Sequence, residues 1–205
     1  MTVRVLGISG SPRRGGNTER LLDAFLKGAR DAGGDVEKVV LKKLKFRSCM
    51  GCNKCHNIGV CVVKDDLTPV LERISETDVL ALSSPIYSMG ITSELKALID
   101  RGQYLWARKF VLNNLEFSAE HIKLHKGIFI STAGQDTNDV FLGAYPVLTA
   151  FFNDFGIDYY ENITARGMDR WGGIDGHPDA LSEAENKGSE IVRLMEELKG
   201  KAAKE

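Results

Sequence analysis

The sequence predicts a three-layer α/β fold, a parallel sheet with helices on both faces, from three observations. Strand-like apolar runs alternate with helix-patterned segments five times in 205 residues, with no internal repeat and no linker. Right-handed crossovers between such units give a parallel sheet. The first run, residues 3–8, ends at Ser9-Gly10-Ser11-Pro12, as a buried strand does when it enters a loop. The length and an apolar content of 43% support one domain over residues 1–205 with a full core.

Each element follows from its own pattern. Residues 18–32 place Leu22, Phe25, Leu26 and Ala29 at helical spacing, and Gly33-Gly34 ends that helix. Residues 36–41 alternate apolar and charged side chains, a strand with one exposed face at the edge of the sheet. Residues 46–64 carry all four cysteines and read as an irregular loop. Asp66 or Thr68 caps the next helix, with Pro69 in its first turn. Residues 79–84 form a strand that stops at Pro85, and Leu95, Leu98, Ile99 and Leu105 give one helix over 92–106. The stretch 107–126 carries mixed signals and reads as a long connection. Residues 127–131 form a strand entering Thr132-Ala133-Gly134-Gln135. Phe141, Leu148, Phe151, Phe152 and Phe155 mark a strongly apolar helix, and residues 159–163 a last short strand. The glycine-rich stretch 166–178 reads as a loop. Leu181, Ala184, Gly188, Ile191, Met195 and Leu198 share one face of a final helix, with a frayed lysine-rich tail over 200–205. Such sheets bind ligands beyond the carboxyl ends of their strands, where loops 9–18, 85–91 and 132–138 converge.

Composition narrows the function. The 27 Lys and Arg nearly cancel the 28 Asp and Glu, unlike the basic excess of a nucleic-acid binder. No apolar run approaches the roughly 18 residues that span a bilayer. The short apolar run after Arg4 is no signal peptide, so a cytoplasmic protein is expected. The cysteines stand at 49, 52, 55 and 61 rather than across the fold. In a reducing cytosol that clustering points to metal or redox chemistry, not to a disulfide framework.

Ser9-Gly10-Ser11-Pro12-Arg13-Arg14-Gly15-Gly16-Asn17-Thr18 joins the first strand to the first helix. Its glycines permit close backbone approach, and Ser9, Ser11, Asn17 and Thr18 supply hydroxyl or amide donors. The helix N-terminus adds oriented N–H groups for an anion. Gly16-Asn17-Thr18 lacks the lysine of a P-loop, and the fingerprint Gly-x-Gly-x-x-Gly is absent. A cradle for one terminal phosphate remains, set against a plain turn with Thr18 as helix cap. Loop arginines are more often solvated, which applies to Arg13 and Arg14 alike.

With these motifs the chain resembles the flavodoxin-like FMN reductases. Ser-Gly-Ser-Pro-Arg followed by Asn17-Thr18 is similar to that family's phosphate loop. Ser84-Pro85-Ile86-Tyr87-Ser88-Met89 resembles its second flavin loop, and Leu95-Lys96 with Asp100-Arg101 the helix that follows. Thr132-Ala133-Gly134-Gln135 stands where the third flavin loop would be, and the resemblance covers about residues 3–165. It implies a flavodoxin-like sheet of order 2-1-3-4-5 and bound FMN. Ser9, Ser11, Arg13, Asn17 and Thr18 would then meet the phosphate. Pro85, Ile86, Tyr87, Ser88, Thr132, Ala133, Gly134 and Gln135 would contact the ring. A flavin ring needs a flat apolar sandwich with a few backbone partners, which Tyr87 and its loop can supply. Read singly, Pro85 is a strand terminator and Tyr87 a half-buried aromatic. Lys96, Asp100 and Arg101 read as ion-pair or subunit contacts, and Met89 and Trp106 as packing residues.

The cysteines read Cys49-x2-Cys52-x2-Cys55-x5-Cys61, with Gly51 and Gly59 letting the backbone fold around a compact cofactor. Bacterial ferredoxins use Cys-x2-Cys-x2-Cys-x3-Cys-Pro, where the fourth cysteine serves another cluster. The longer last gap here lets the fourth thiolate return to the same cube. Structural zinc usually joins two well-separated pairs, which this run lacks. Ordinary thiols, a Cys52/Cys55 redox disulfide and zinc all stay open. His56 reads as an exposed loop histidine, and His121, His125 and His177 show no ligand spacing.

The spacing resembles the compact motif of the iron–sulfur flavoproteins, a branch of the same superfamily. That resemblance implies that all four cysteines ligate one [4Fe–4S] cluster exchanging electrons with FMN, without a protein acid or base. It implies ferredoxin as donor, a small-molecule acceptor, and a homo-oligomer in which the cluster of one subunit approaches its neighbour's FMN. A tetramer of two dimers is expected. NAD(P)H is the donor in the alternative, a cluster-free FMN or quinone reductase. A flavodoxin-type carrier or a zinc-stabilised module is the non-enzyme reading.

Overall fold

The computed structural model describes residues 2–203. Five strands form one sheet: β1 Arg4–Ser9, β2 Asp35–Val40, β3 Val79–Ser83, β4 Lys126–Thr132 and β5 Asp158–Ala165. Their order is β2-β1-β3-β4-β5 and every pairing is parallel, the flavodoxin-like topology. β3 and β4 are buried along their whole length, and β1 beyond Arg4, because both their faces are covered. β2 and β5 alternate in exposure, as edge strands do.

The period of two then divides the core. Val5, Val79, Ala81, Ile128 and Ile130 face a cluster containing Phe25 and Met195. Leu6, Ile8, Leu80, Leu82 and Phe129 face the opposite cluster, with Ile74, Leu98 and Phe151. Helices α1 Asn17–Asp31 and α9 Ala180–Ala202 cover the first face. Helices α3 Leu67–Glu76, α4 Ser93–Arg101, α5 Gln103–Phe110 and α7 Tyr145–Asp154 cover the second. The described residues also include three short α-helices: α2 Cys55–Ile58, α6 Ala119–Lys123 and α8 Met168–Trp171. α1 and α9 meet backbone to backbone. A Cβ on Gly28 would overlap the Glu185 carbonyl, and one on Gly188 the Phe25 carbonyl.

Several elements differ from the sequence reading. The helix expected over 92–106 is two, α4 and α5, because the Gly102 and Leu105 N–H groups bond three residues back, to Ile99 and Gly102. That tight turn redirects the chain, and α5 takes in residues 107–110 of the expected connection. Asp65, rather than Asp66 or Thr68, caps α3: its Oδ1 accepts from Leu67 N at 3.1 Å. Asp66 is engaged by Lys45 N at 2.6 Å. The stretch 166–178 contains α8 and a 3-10 turn at Ile174–Gly176, anchored by buried Met168 and Ile174. α9 stays helical to Ala202, and residues 204 and 205 of the expected frayed tail lie outside the described residues. Met89 and Trp106 are substantially exposed instead of packed. Among the described residues no helix is long and apolar enough to cross a membrane.

Candidate functional site

Loops following β1, β3 and β4 converge at the carboxyl end of the sheet around a cleft of about 250 Å³. Ser11, Arg13, Asn17, Thr18, Pro85, Ile86, Tyr87, Thr132 and Gly134 line it. Ser88 and Gln135 are exposed beside it, and Ala133 is buried against Val140 and Phe141. Ser9 lies fully buried at the end of β1, and among the described residues its Oγ has no hydrogen-bond partner. An orphaned buried hydroxyl is costly unless something absent here satisfies it.

α1 begins at the cleft, where Gly16, Asn17 and Thr18 line it. Its N-cap, Gly16, is extended and offers no side-chain cap, so the first-turn N–H groups stay open toward the cleft. Ser11 folds its own loop: Oγ accepts from Arg13 N and donates to Arg13 O, both at 3.2 Å. Gly15 N donates to Glu19 Oε2 at 2.6 Å, and Lys38 pairs with Glu19 Oε1 at 2.8 Å. Burial opposes ionisation of Glu19, but Lys38 and the Gly15 N–H outweigh it and hold the carboxyl below its ordinary range.

Hydroxyls stitch the three loops together. Thr18 Oγ1 and Thr132 Oγ1 lie 2.5 Å apart. Ser131 Oγ donates to Ser84 O at 2.7 Å, and Thr92 Oγ1 donates to Gly10 O at 2.7 Å. Ile86 N donates to Thr132 O at 3.0 Å. Beyond Ile86 the chain reverses at Ser88 and Met89, which take φ of 49° and 63° between paired Tyr87 and Gly90. Two successive non-glycine residues at positive φ form the tight hairpin turn that holds Tyr87 at the rim, 44% exposed.

Sequence reasoning missed the fourth wall. Met168 and Asp169 on α8 line the cleft, and Asn17 Oδ1 accepts from Ile174 N at 3.1 Å. These residues come from the glycine-rich stretch after β5. Only the buried apolar pair Met168 and Ile174 could have signalled that it packs back onto the sheet. A larger groove, about 400 Å³, runs between β5 and α9 and does not reach these loops.

The cysteine segment forms a second site on the helical face that holds α4 and α5. Cys49, Cys52, Cys55 and Cys61 all line one small pocket of about 50 Å³ with Arg101 and Tyr104. Gly51 and Gly59 take φ of 63° and 70°, the left-handed turns that let the chain wrap the pocket. Gly51 N donates to Cys49 Sγ at 3.5 Å. Burial first, then the neighbouring Cys49, Cys61 and Cys52 thiolates, push the Cys55 thiol up. Among the described residues no three His, Cys, Asp or Glu side chains are gathered as a single metal ion requires. The donor set of four thiols on one pocket still fits a thiolate-bound cluster in kind. His56 sits on α2 with its ring 5.9 Å from that of Trp106. His121 and His125 stack on each other at 3.8 Å.

Arg101, the last residue of α4, is 1% exposed beneath this pocket. Its Nη1 donates to Asp65 Oδ2 at 2.6 Å and to Arg47 O at 3.0 Å, and its Nη2 to Val63 O at 2.9 Å. Lys96 and Asp100 pair with each other at 2.6 Å on the helix surface.

The sequence profile of NADPH-dependent FMN reductases matches residues 3–135. An iron–sulfur flavoprotein of Archaeoglobus fulgidus is 39% identical over 99 residues, 48% of this chain and 45% of that protein. One from Methanosarcina thermophila is 32% identical over 112 residues, 55% of this chain and 59% of that protein. The chain thus spans about half the length of the curated relatives it matches. An azoreductase of Bacillus anthracis superposes with a TM-score of 0.65 at 15% identity, covering 93% of this chain and 99% of its own, a likeness of fold.

Proposed function

The chain belongs to the NADPH-dependent FMN reductase family, and from that membership we propose a flavin-dependent oxidoreductase of the iron–sulfur flavoprotein type. The observation that carries the flavin reading is the cleft at the uncapped N-terminus of α1, lined by Ser11, Arg13, Gly16, Asn17 and Thr18. Ser11, Asn17 and Thr18 supply small polar groups there and Arg13 adds an exposed positive charge at the rim, whereas Ser9 is not among the lining residues. This cradle suits the phosphate of FMN. Pro85, Ile86 and Tyr87 line the cleft with Thr132 and Gly134, and these residues, with the neighbouring Ser88, Ala133 and Gln135, would contact the ring. Cys49, Cys52, Cys55 and Cys61 would hold a [4Fe–4S] cluster, a reading supported by their spacing, their common pocket and the relatives' names. When bound, the cluster passes electrons singly and the flavin gathers two for a small-molecule acceptor.

The chain's own residues bind and orient. The hydroxyl stitching among Thr18, Thr132, Ser84, Ser131 and Thr92 fixes the loops before any ligand arrives. The turn at Ser88 and Met89 keeps Tyr87 at the rim. Ferredoxin is the proposed donor. A cluster-free NAD(P)H-dependent FMN or quinone reductase is the second reading, favoured by the family's own description.

Anaerobic purification with flavin, iron and sulfide quantified, followed by steady-state NAD(P)H oxidation, separates the two. Replacing Ser11 and Asn17 by alanine removes charge-assisted hydrogen bonds of ~1.5–3 kcal/mol each. FMN affinity then falls at least tenfold. Unchanged affinity in that double variant would sink the phosphate assignment.

A further inference from the structure

Arg101 is buried as charged side chains seldom are. A guanidinium has five N–H donors, and three of its contacts here go to one purpose. Arg47 O and Val63 O belong to the two stems of the cysteine segment, and Asp65 follows the second stem. Asp65 is itself held on both oxygens: Oδ2 also accepts from Arg47 N at 3.2 Å, and Oδ1 from Leu67 N at 3.1 Å. The guanidinium therefore closes the loop like a clasp. Two donors are left over, the second Nη2–H and the Nε–H. Among the described residues Arg101 Nε is buried without a partner, and Arg101 and Cys61 together line two pockets beside the thiols.

We propose that Arg101 is a positioning residue of the cysteine pocket, holding both stems and presenting its spare Nε–H and fixed positive charge to the Cys61 sulfur. The proposal rests on the reading of the four cysteines as cluster ligands. A donor aimed at a ligand sulfur, and a cation that cannot be deprotonated, both favour the more negative, reduced form of a cluster. The same helix is capped at its N-terminus by Thr92, whose hydroxyl donates to Gly10 O in the phosphate loop, so α4 joins the two sites through one rigid element.

The test uses the full chain, reconstituted anaerobically with ferrous iron and sulfide and titrated electrochemically with the cluster followed by EPR. Wild type takes up about four irons and four sulfides per chain. Arg101→Met lowers the electron affinity of the cluster at least tenfold, 59 mV for a one-electron couple. Arg101→Lys, which keeps the charge and loses the fork, recovers part of that shift. Asp65→Asn loosens the stems and lowers the melting temperature of the apoprotein without lowering the potential. Equal potentials in wild type and Arg101→Met, or equal falls in Arg101→Met and Asp65→Asn, overturn the proposal. Should the arginine variants fail to fold or load, wild type labelled with 15Nε-arginine decides. Pulsed EPR of its reduced cluster shows coupling to one arginine nitrogen, and no coupling overturns the proposal. A wild-type chain that takes up neither iron nor sulfide brings down the cluster reading itself.

Discussion

Asp154 stands at the C-terminal end of α7, where burial pushes its carboxyl up to about 6, against the opposing pull of Lys109. The unfolded chain releases this proton near 3.8, so the folded state binds it more tightly and loses stability as pH rises from about 4 to 6. Asp154→Asn is therefore expected to raise the apoprotein's melting temperature at pH 7.5 and to change it little at pH 4. Equal effects at both pH values contradict the assignment. Cys61 makes the second residue-scale prediction: Cys61→Ala should fail to hold a four-iron cluster, checked by iron and sulfide analysis. An unchanged cluster would mean another ligand completes the site. The four thiols and the small donors of loop 9–18 are legible in sequence because each set is contiguous. The Asp65–Arg101 clasp is legible only in part: Arg101 reads as an ion-pair or subunit contact, but its partner lies 36 residues away and cannot be named from sequence. Nor can a sequence show that the Ser9 hydroxyl lacks a partner.

At the scale of elements, the closest packing is between α1 and α9. Gly188→Val would drive two methyl groups toward the Phe25 carbonyl. The expected cost is about 1–3 kcal/mol or more, a fall in melting temperature of roughly 2–4 °C per kcal/mol in a chain of this size. Denaturant unfolding checks it, and a variant as stable as wild type contradicts the close approach. The five strands were readable from apolar runs and their punctuation, including the edge character of β2. The single helix expected over 92–106 was not borne out, because Leu105 continues the apolar spacing while the backbone breaks at Gly102. Hydrophobic period records which face is buried, and two helices at an angle can share one face. α8 escaped notice for the opposite reason: four residues are too few to show a period.

For the whole molecule, the apolar surface beside the cysteines supports the oligomer proposed from the family resemblance. Met50, Ile58 and Phe110 are each more than half exposed, and Trp106 joins them. The expected assembly is a homotetramer of two dimers with electron transfer crossing an interface. Cys52→Ala subunits that retain FMN, mixed with Ser11→Ala/Asn17→Ala subunits that retain the cluster, should restore fast cluster-to-flavin transfer. Mixtures that exchange subunits yet transfer no faster than either variant alone rule out the crossing route. Topology was legible in the sequence through alternation and right-handedness. The fourth wall of the cleft was not, because it is closed by chain 157 residues downstream of the loop it touches.

That long return has a consequence for biogenesis. The helix whose N-terminus is proposed to cradle the phosphate, α1, buries its apolar stripe against the sheet and α9, and its first residue is tied to Ile174. A ribosome adding 5–20 residues per second needs roughly 8–30 s between the end of α1 and the start of α9. Throughout that interval Leu22, Phe25 and Ala29 lack the part of their cover that α9 supplies, and Asn17 lacks its tie to Ile174. Flavin capture is thus a late event in the life of each polypeptide. Stalled nascent chains ending before residue 174 should bind no FMN, whereas chains with α9 extruded should acquire it.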